Sequence, residues 1–451
     1  MRKSTLVSAL GALLLSCPAA AQESDASEEA DRFTLSGTSR LRYEAIDGQA
    51  RAGFNASDDL LNLRTTVRAQ YETEPVTLVA ELWDSRVYGY RNGTPVSTGE
   101  VNTLELVQAF VEVRAPELLG EGTTLSVQAG RLMLNLGSRR LVAADDYRNT
   151  TNGYTGVRAD LGLGDGWRST LIYTLPQQRR PDDLGSLRSN EVSPDHEGFD
   201  LVLWGGLVSR TSASARLTAE VSFFQLGERD TAMRPTRDRS LDTASLRLIR
   251  DPAPSKLDFE VEGIGQRGSI ATSLAASAPR QEVRAWFIHG DIGYTFAGGW
   301  RPRVALEYDH ASGDRQGGAY GRFDTLFGMR RADLGPSGLY NTFGRTNFIS
   351  PGLRAEVTPG TRTDAFATIR PIWLAARPDS FSTTGVRDPS GRSGSFAGTQ
   401  FDARIRHRLS DGLQLELDAV LLAKGRFLRD APNAPSGRWT RYISLNAMAS
   451  F

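Results

Sequence analysis

"LLNLRTTVRAQYE", residues 60–72, decides the fold. Leu61, Leu63, Thr65, Val67, Ala69 and Tyr71 fall on one side of an extended chain, and Arg64, Thr66, Arg68, Gln70 and Glu72 on the other. Successive side chains of a strand point to opposite faces, so this period of two marks a strand with one apolar and one charged face. The signature returns at 214–226, where Ala215, Leu217, Ala219, Val221 and Phe223 oppose Arg216, Thr218, Glu220 and Ser222. It returns again around residue 260, with Leu257, Phe259 and Val261 against Lys256, Asp258, Glu260 and Glu262, and near residue 305, with Pro302, Val304, Leu306 and Tyr308 against Arg301, Arg303, Glu307 and Asp309. Late in the chain Leu413, Leu415, Leu417 and Ala419 oppose Gln414, Glu416 and Asp418.

Such runs extend about 10 to 13 residues, roughly twice the usual length in soluble sheets. A membrane-spanning strand needs about 9 to 11 residues, apolar toward lipid and polar toward the lumen. Eighteen candidate segments start near 33, 60, 76, 103, 123, 154, 167, 199, 214, 240, 256, 283, 300, 345, 364, 400, 412 and 440. The expected fold is therefore all-β, a transmembrane antiparallel barrel of 16–18 strands, about 18 by this reading. Short connections such as "LGDG" (163–166) and "LSDG" (409–412) alternate with long ones at 86–102, 177–198, 311–344 and 377–399. Bacterial barrels alternate short periplasmic turns with long outer loops in this way. Tyr43, Tyr71, Trp83, Trp167, Trp300, Tyr308, Trp373, Trp439 and Tyr442 lie near strand ends, where an interfacial aromatic girdle would place them.

The beginning of the sequence reads as a leader. Arg2 and Lys3 precede an apolar run from Leu6 to Leu15, and Ala19–Ala21 supply a cleavage point before Gln22. Residues 1–21 are thus expected to be a secretory signal peptide, 22–31 a flexible acidic extension, and 32–451 one barrel. The one cysteine, Cys17, falls inside the leader, where Leu14–Ser16 before it loosely resemble a lipidation site. After cleavage at Ala21 no disulfide or thiolate metal site remains. Charge balances at 53 basic and 53 acidic residues, which gives no global steering toward nucleic acid. Of the 53 basic residues only Lys3, Lys256 and Lys424 are lysines.

An arginine facing lipid at the midplane costs about 2–4 kcal/mol, so strand arginines are expected to face the lumen. Parity nominates Arg40, Arg42, Arg64, Arg68, Arg158, Arg168, Arg216, Arg354, Arg370, Arg404, Arg406 and Arg408. Interleaved acids such as Asp160, Glu260 and Asp309 keep the interior from carrying one sign. Guanidinium forks hold carboxylates bidentately, which suits a ligand with repeated carboxylates. They equally suit Arg–carboxylate pairs that only brace the wall. Arg131 stands on the parity of Leu125, Val127 and Ala129, which is the outward one.

The stretch "GRLMLNLGSRRLVAADDYRNTTNGYTGVRADL" (130–161) resembles the alginate export family of outer-membrane porins. The resemblance rests on Gly130-Arg131, on Leu136 to Val142, on Arg148-Asn149 and on Gly156-Val157-Arg158. It extends to "FDTLFG" (323–328), "IRPIWLAARPDS" (369–380) and the segment 387–427. It implies an 18-stranded monomeric barrel in the bacterial outer membrane with an arginine-lined constriction that conducts a polyuronate. Arg131, Arg140, Arg148 and Arg158 match the family stretch and become constriction candidates, with Asp145 and Asp146 beside them as pairing partners. The lumen path so assembled comprises Arg42, Arg64, Arg131, Arg140, Arg148, Arg158, Arg354, Arg370 and Arg404, with Asp145, Asp146, Asp160, Glu260 and Asp309 as acidic partners. The alternating tail "RYISLNAMASF" ends on Phe451, as the outer-membrane assembly signal does.

The expected function is passive conduction of anionic polysaccharide or oligosaccharide, the expected partners being lipid, that ligand and the assembly machinery. The alternative is a general or nutrient-uptake porin for small anionic or sugar-like solutes. An enzyme is not expected: His196, His289, His310 and His407 show no metal-ligand spacing, and no G-x-S-x-G elbow occurs. "GIGQRG" (263–268) matches a dinucleotide pattern but no helix follows it, and a flexible turn is the simpler account. No cofactor or metal is expected.

Overall fold

All eighteen alternating segments form strands. The computed structural model describes residues 32–232, 234–331 and 333–451. The expected leader 1–21 with Cys17 and the expected acidic extension 22–31 lie outside the described residues. The strands are β1 (Arg32–Asp47), β2 (Ser57–Thr73), β3 (Val76–Tyr88), β4 (Asn102–Pro116), β5 (Thr124–Leu132) and β6 (Tyr154–Gly162). They continue with β7 (Trp167–Pro176), β8 (Leu201–Ser212), β9 (Leu217–Glu228), β10 (Ser240–Arg250), β11 (Lys256–Ala271) and β12 (Arg280–Thr295). The last six are β13 (Arg303–Ala311), β14 (Phe348–Val357), β15 (Thr363–Trp373), β16 (Phe396–Ser410), β17 (Leu413–Lys424) and β18 (Trp439–Ser450). Each pairs antiparallel with its neighbours, and β1 closes on β18 from Thr38 opposite Ser450 to Asp47 opposite Arg441. Closure leaves no unpaired strand edge, which the hydrocarbon core of a membrane forbids.

Along β2 the expected parity holds: Leu60, Asn62, Arg64 and Thr66 are buried inside, and Val67 is exposed outside. The outer wall carries an apolar belt that includes Leu78, Leu82, Leu171, Ile292, Leu306, Leu353 and Leu445. Trp167, Trp300, Tyr308 and Trp439 are exposed on that wall as expected. Trp83 and Tyr442 are not: both are buried on the inward parity of β3 and β18. Trp83 stacks under the Arg64 guanidinium, 4.5 Å from its ring centroid, and Tyr442 donates to Glu44. Inward arginine and glutamate offer these rings a cation and an acceptor that lipid cannot.

Three further expectations are corrected. Arg216 lies in the turn between β8 and β9, where its exposed side chain donates to the Asp251 carbonyl, so it is no lumen residue. Segment 263–268 continues β11 rather than ending it, and its glycines Gly263 and Gly265 face outward. The segment expected from 300 starts at Arg303, because Arg301 takes a left-handed turn conformation.

The two halves of the lumen differ. At the short-turn end the inward positions are polar, as Glu220 and Ser222 on β9 and Glu416 and Asp418 on β17 show. At the long-loop end the same parity turns apolar: Phe224 and Leu226 on β9, Phe287 on β12, Val420 and Leu422 on β17. Inward-folded connections cover these positions. Leu134, Leu136, Leu141, Val142, Phe323, Phe343, Phe381 and Phe427 pack against Leu203, Phe224, Phe287 and Ile372 in one buried cluster. Burying both wall and loops removes apolar surface from water at about 25 cal/mol per Å². The loops are thereby a core inside the barrel.

Candidate functional site

Two connections enter the lumen, residues 133–153 after β5 and residues 312–347 after β13. They pair with one another: Val142 forms a parallel bridge with Phe327, the Phe327 amide donates to the Leu141 carbonyl at 2.9 Å, and the Met329 amide donates to the Arg139 carbonyl at 3.0 Å. Such close approach requires Gly328, where a Cβ would lie 1.9 Å from the Arg140 carbonyl oxygen. Gly137 has φ +53 and touches the Glu220 carboxylate of the wall, so the "LGS" step sits where only glycine fits without strain.

Segment 133–153 is tied to opposite walls. On one side Arg40 donates to the carbonyls of Tyr147 (3.2 Å) and Arg148 (2.7 Å), and Arg64 to those of Asp146 (2.8 Å) and Arg148 (3.1 Å). On the other Arg140 pairs with Glu262 at 2.7 Å and closely with Glu260, both on β11, and it also meets Asp333 of segment 312–347 at 2.8 Å. β2 and β11 stand nine strands apart in an 18-stranded ring, so this segment spans a diameter of the lumen. Between the two anchors the Tyr147 hydroxyl donates to Asp418 at 3.1 Å, and Arg42 stacks on the Tyr147 ring at 4.2 Å.

The wall is electrically divided. β1 and β2 present Arg40, Arg42, Arg64 and Arg68, and Arg40 faces Arg64 directly across the ladder. β11 to β14 present Asp258, Glu260, Glu262, Asp291, Glu307, Asp309 and Glu356, in part neutralised by Arg303, Arg354 and Arg370. Like charges directly opposite on a ladder repel. In the basic arc that repulsion is offset by carbonyls and an amide: Arg42 bonds the Asn446 oxygen, and its nearest carboxylate, Glu44, is 3.9 Å away.

The residues singled out from sequence fall into four groups. Arg42 and Arg64 form the basic arc. Arg140 and Arg148 belong to the inward segment, Arg148 pairing with Asp145 at 2.9 Å and Asp146 with Arg139 at 2.9 Å. Arg354, Arg370 and Arg404 are committed to wall acids: Arg354 to Glu356 at 2.5 Å, Arg370 to Glu307 at 2.5 Å and Asp309 at 3.2 Å, Arg404 to Asp364 at 2.9 Å. Asp309 also holds His289 at 2.8 Å. Arg158 donates to Asp160 at 3.0 Å beside a cavity of about 870 Å³ at the short-turn mouth. Arg114 and Arg168 line the same cavity, and Asn135 to Gly137 roof it.

Arg131 is not brought to the lumen. It lies at the loop end of β5 on the outward parity and clamps Glu105 at 2.5 Å and Glu197 of the connection 177–200 at 3.0 Å. Sequence reasoning also missed Asp333, Arg331 and Arg345. Asp333 receives Arg140 and Arg345, and Arg331 reaches Asp402 at 3.1 Å and Asp418. The one signal for Arg331 and Asp333 is position in the long connection 311–344; Arg345 falls at the expected start of a strand and carries no such signal.

Beside the Arg131 clamp lies Asp195, also on the outer connection. Burial and the neighbouring Glu105 carboxylate push its carboxyl up to about 7 against donors from Arg180 and Asn102. A carboxyl whose folded value exceeds its ordinary 3.8 contributes stability that is complete below about pH 3.8 and is lost as pH rises through about 7. Relative to the intrinsic, base-catalysed rate of each amide, connection 177–200 should therefore be less protected from hydrogen exchange at pH 8 than at pH 5. Asp195→Asn, which retains an acceptor for both donors, should flatten that difference; an equal pH response in the variant would assign it elsewhere.

A closed 18-stranded antiparallel barrel with an apolar outer belt, an aromatic girdle and a charged, loop-narrowed lumen is an outer-membrane channel of the porin class. The chain belongs to the alginate export family, whose description matches residues 31–440. The fold is similar to that of Pseudomonas aeruginosa OccD3 (OpdP), at TM-score 0.58 and 11% identity over 93% of this chain and 91% of that one. It is also similar to Acinetobacter baumannii OccAB1, at TM-score 0.57 and 12% identity over 93% and 96%. A third similar structure is P. aeruginosa OpdK with vanillate, at TM-score 0.57 and 10% identity over 92% and 98%. No curated protein sequence gives a significant match. The chain accordingly resides in the bacterial outer membrane, in contact with its lipid.

Proposed function

We propose that the barrel, as a monomer inserted through a C-terminal signal ending in Phe451, passively conducts an anionic oligo- or polysaccharide of the polyuronate type and is no enzyme. The observation that carries this reading is the basic arc of Arg40, Arg42 and Arg64: three buried guanidiniums whose bonded acceptors are carbonyls and amides. A passing carboxylate is a stronger acceptor than a carbonyl, so it would compete well for these forks. Arg158, Arg140, Arg148, Arg354, Arg370 and Arg404 continue the track, with Asp145, Asp146, Asp160, Glu260 and Asp309 weakening any single grip. Conduction needs binding weak enough to release. Arg131, on the outward face, forms no part of the track.

The test is the reversal potential and current block of the purified barrel in a planar bilayer. A KCl gradient should show anion preference, and oligouronates but not neutral oligosaccharides of equal length should block. Arg64→Gln should weaken the block about tenfold, the worth of one charge-assisted hydrogen bond. A cation-preferring pore indifferent to uronates would sink the proposal. It would favour uptake of small solutes, a reading supported by the narrowing that segments 133–153 and 312–347 impose and by the fold shared with a protein solved with vanillate.

A further inference from the structure

The outer wall carries a basic site unrelated to the lumen. On β11 and β12, one outward position above Trp286 toward the long loops, Arg267 and Arg284 are direct ladder partners. Both are exposed on the face that meets the membrane surface. Below them that face is apolar: Ile288, Ile292 and Leu306 follow toward the barrel's middle. Trp286 packs against His310 at 4.4 Å and Tyr308 is exposed beside it, so the girdle is marked here by rings. Outward positions two residues apart are separated by about 7 Å along a strand, which sets the guanidiniums at headgroup depth.

Two like charges facing one another across a ladder destabilise it. Arg284 is met by Glu282 of its own strand at 2.7 Å, both well exposed. Arg267 faces Asp242 of β10 on its other side, yet no ion pair forms between them. Arg315, from segment 312–347, adds a third exposed guanidinium. Among the described residues neither Arg267 nor Arg315 has a hydrogen-bonded or ion-paired acceptor. Arg284, Trp286, His310, Ser312 and Arg315 enclose a cavity of about 280 Å³ on this wall. Guanidinium forks match phosphate oxygens, and basic pockets at a membrane surface recognise lipid headgroups.

We propose that this cavity binds the phosphate of an outer-leaflet glycolipid, with Arg284 and Arg315 as its jaws, Arg267 alongside, and the acyl chains along Ile288 and Ile292. The leaflet follows from the orientation of the barrel, since the site opens at the long-loop end, which faces outward in this class. The site does not depend on what the lumen conducts.

The purified barrel would be titrated with a phosphorylated glycolipid, with the dephosphorylated form bearing the same acyl chains, and with inorganic phosphate as competitor, bound lipid being read by native mass spectrometry. The phosphorylated lipid should bind at one site at least tenfold more tightly than the dephosphorylated one. The double variant Arg284→Ser/Arg315→Ser should bind it about thirtyfold more weakly, on a contribution of one surface arginine for each. Its β-sheet circular dichroism and its folded mobility in detergent electrophoresis should stay those of the parent, which verifies that the barrel is intact. Arg267→Ser, away from the loop, should lose a few-fold and serves if the double variant fails to fold. Equal binding of the two lipids, or undiminished binding by folded variants, overturns the proposal. Displacement of the lipid by millimolar inorganic phosphate also overturns it, by making this a site for free anions.

Discussion

Replacing Arg140 with alanine should loosen segment 133–153 and raise single-channel conductance. The side chain is 3% exposed and holds Glu262, Asp333 and Glu260 together. Removing one partner of a buried ion pair costs about 3–5 kcal/mol, because the remaining charges stay buried without compensation. Here Glu262 would be left buried without a cation, while Glu260 keeps Arg247 at 2.9 Å and Asp333 keeps Arg345, and the anchor to β11 would shrink to the Ser138 bond while Arg40 and Arg64 still hold the opposite end. The loss should appear as faster amide exchange in 133–153 rather than as global unfolding, since the eighteen-strand ladder is untouched. Glu262→Gln in the same chain should recover part of the loss, as it removes one stranded charge and keeps a partner for Ser138, which donates to Glu262 at 3.0 Å. Exchange and conductance both equal to the parent would mean that the pairing with 327–329 alone holds the segment.

Leu306→Arg should destabilise the folded barrel in lipid vesicles by about 2 kcal/mol, since the position lies in the apolar belt one outward step from the Tyr308 ring and the cost of an arginine rises with depth toward the midplane. Leu306 is 61% exposed on the outer wall, and its ladder partners Ile292 and Leu353 are exposed there too. Leu257→Arg, on the same face of β11 at the turn end beside the membrane surface, should cost no more than about 1 kcal/mol. Denaturant titration in vesicles distinguishes the two. Equal, small costs at both positions would contradict a lipid-facing belt.

The effects at Leu306 and Arg140 belong to different levels of the molecule, and they were unequally legible in the chain. The outward face of a strand such as 60–72 needs nothing beyond itself to be read. Lipid penalises every charge that meets it, so each strand must repeat the same alternation, and the alternation names the architecture, the strand number and most inward arginines. Arg42, Arg64, Arg158, Arg354, Arg370 and Arg404 stand on the inward parity for that reason. Parity fails where the chain stops being a strand. Arg216 keeps the rhythm but sits in a turn. Parity holds for Arg131, which the family resemblance and not the alternation assigned to the lumen; on its outward face it meets Glu197, an acid 66 residues onward. Trp83 and Tyr442 match the girdle pattern because rings at strand ends usually belong to it; their buried partners Arg64 and Glu44 are invisible without the closed ladder.

The interior was the least legible part. That inward positions become apolar in the loop half follows from what covers them, and the covering segments come from separate places in the chain. Arg140 lies 120 residues from Glu260 and 193 from Asp333, distances over which spacing carries no information. What the sequence alone determined is a membrane barrel with arginines on its inner wall, because the solvent outside imposes one rule on every strand. Only the tertiary structure decided which arginines are committed to carboxylates, which hold mere carbonyls, and which segment crosses the lumen. Those depend on charges meeting across a ring that exists only once β1 has closed on β18.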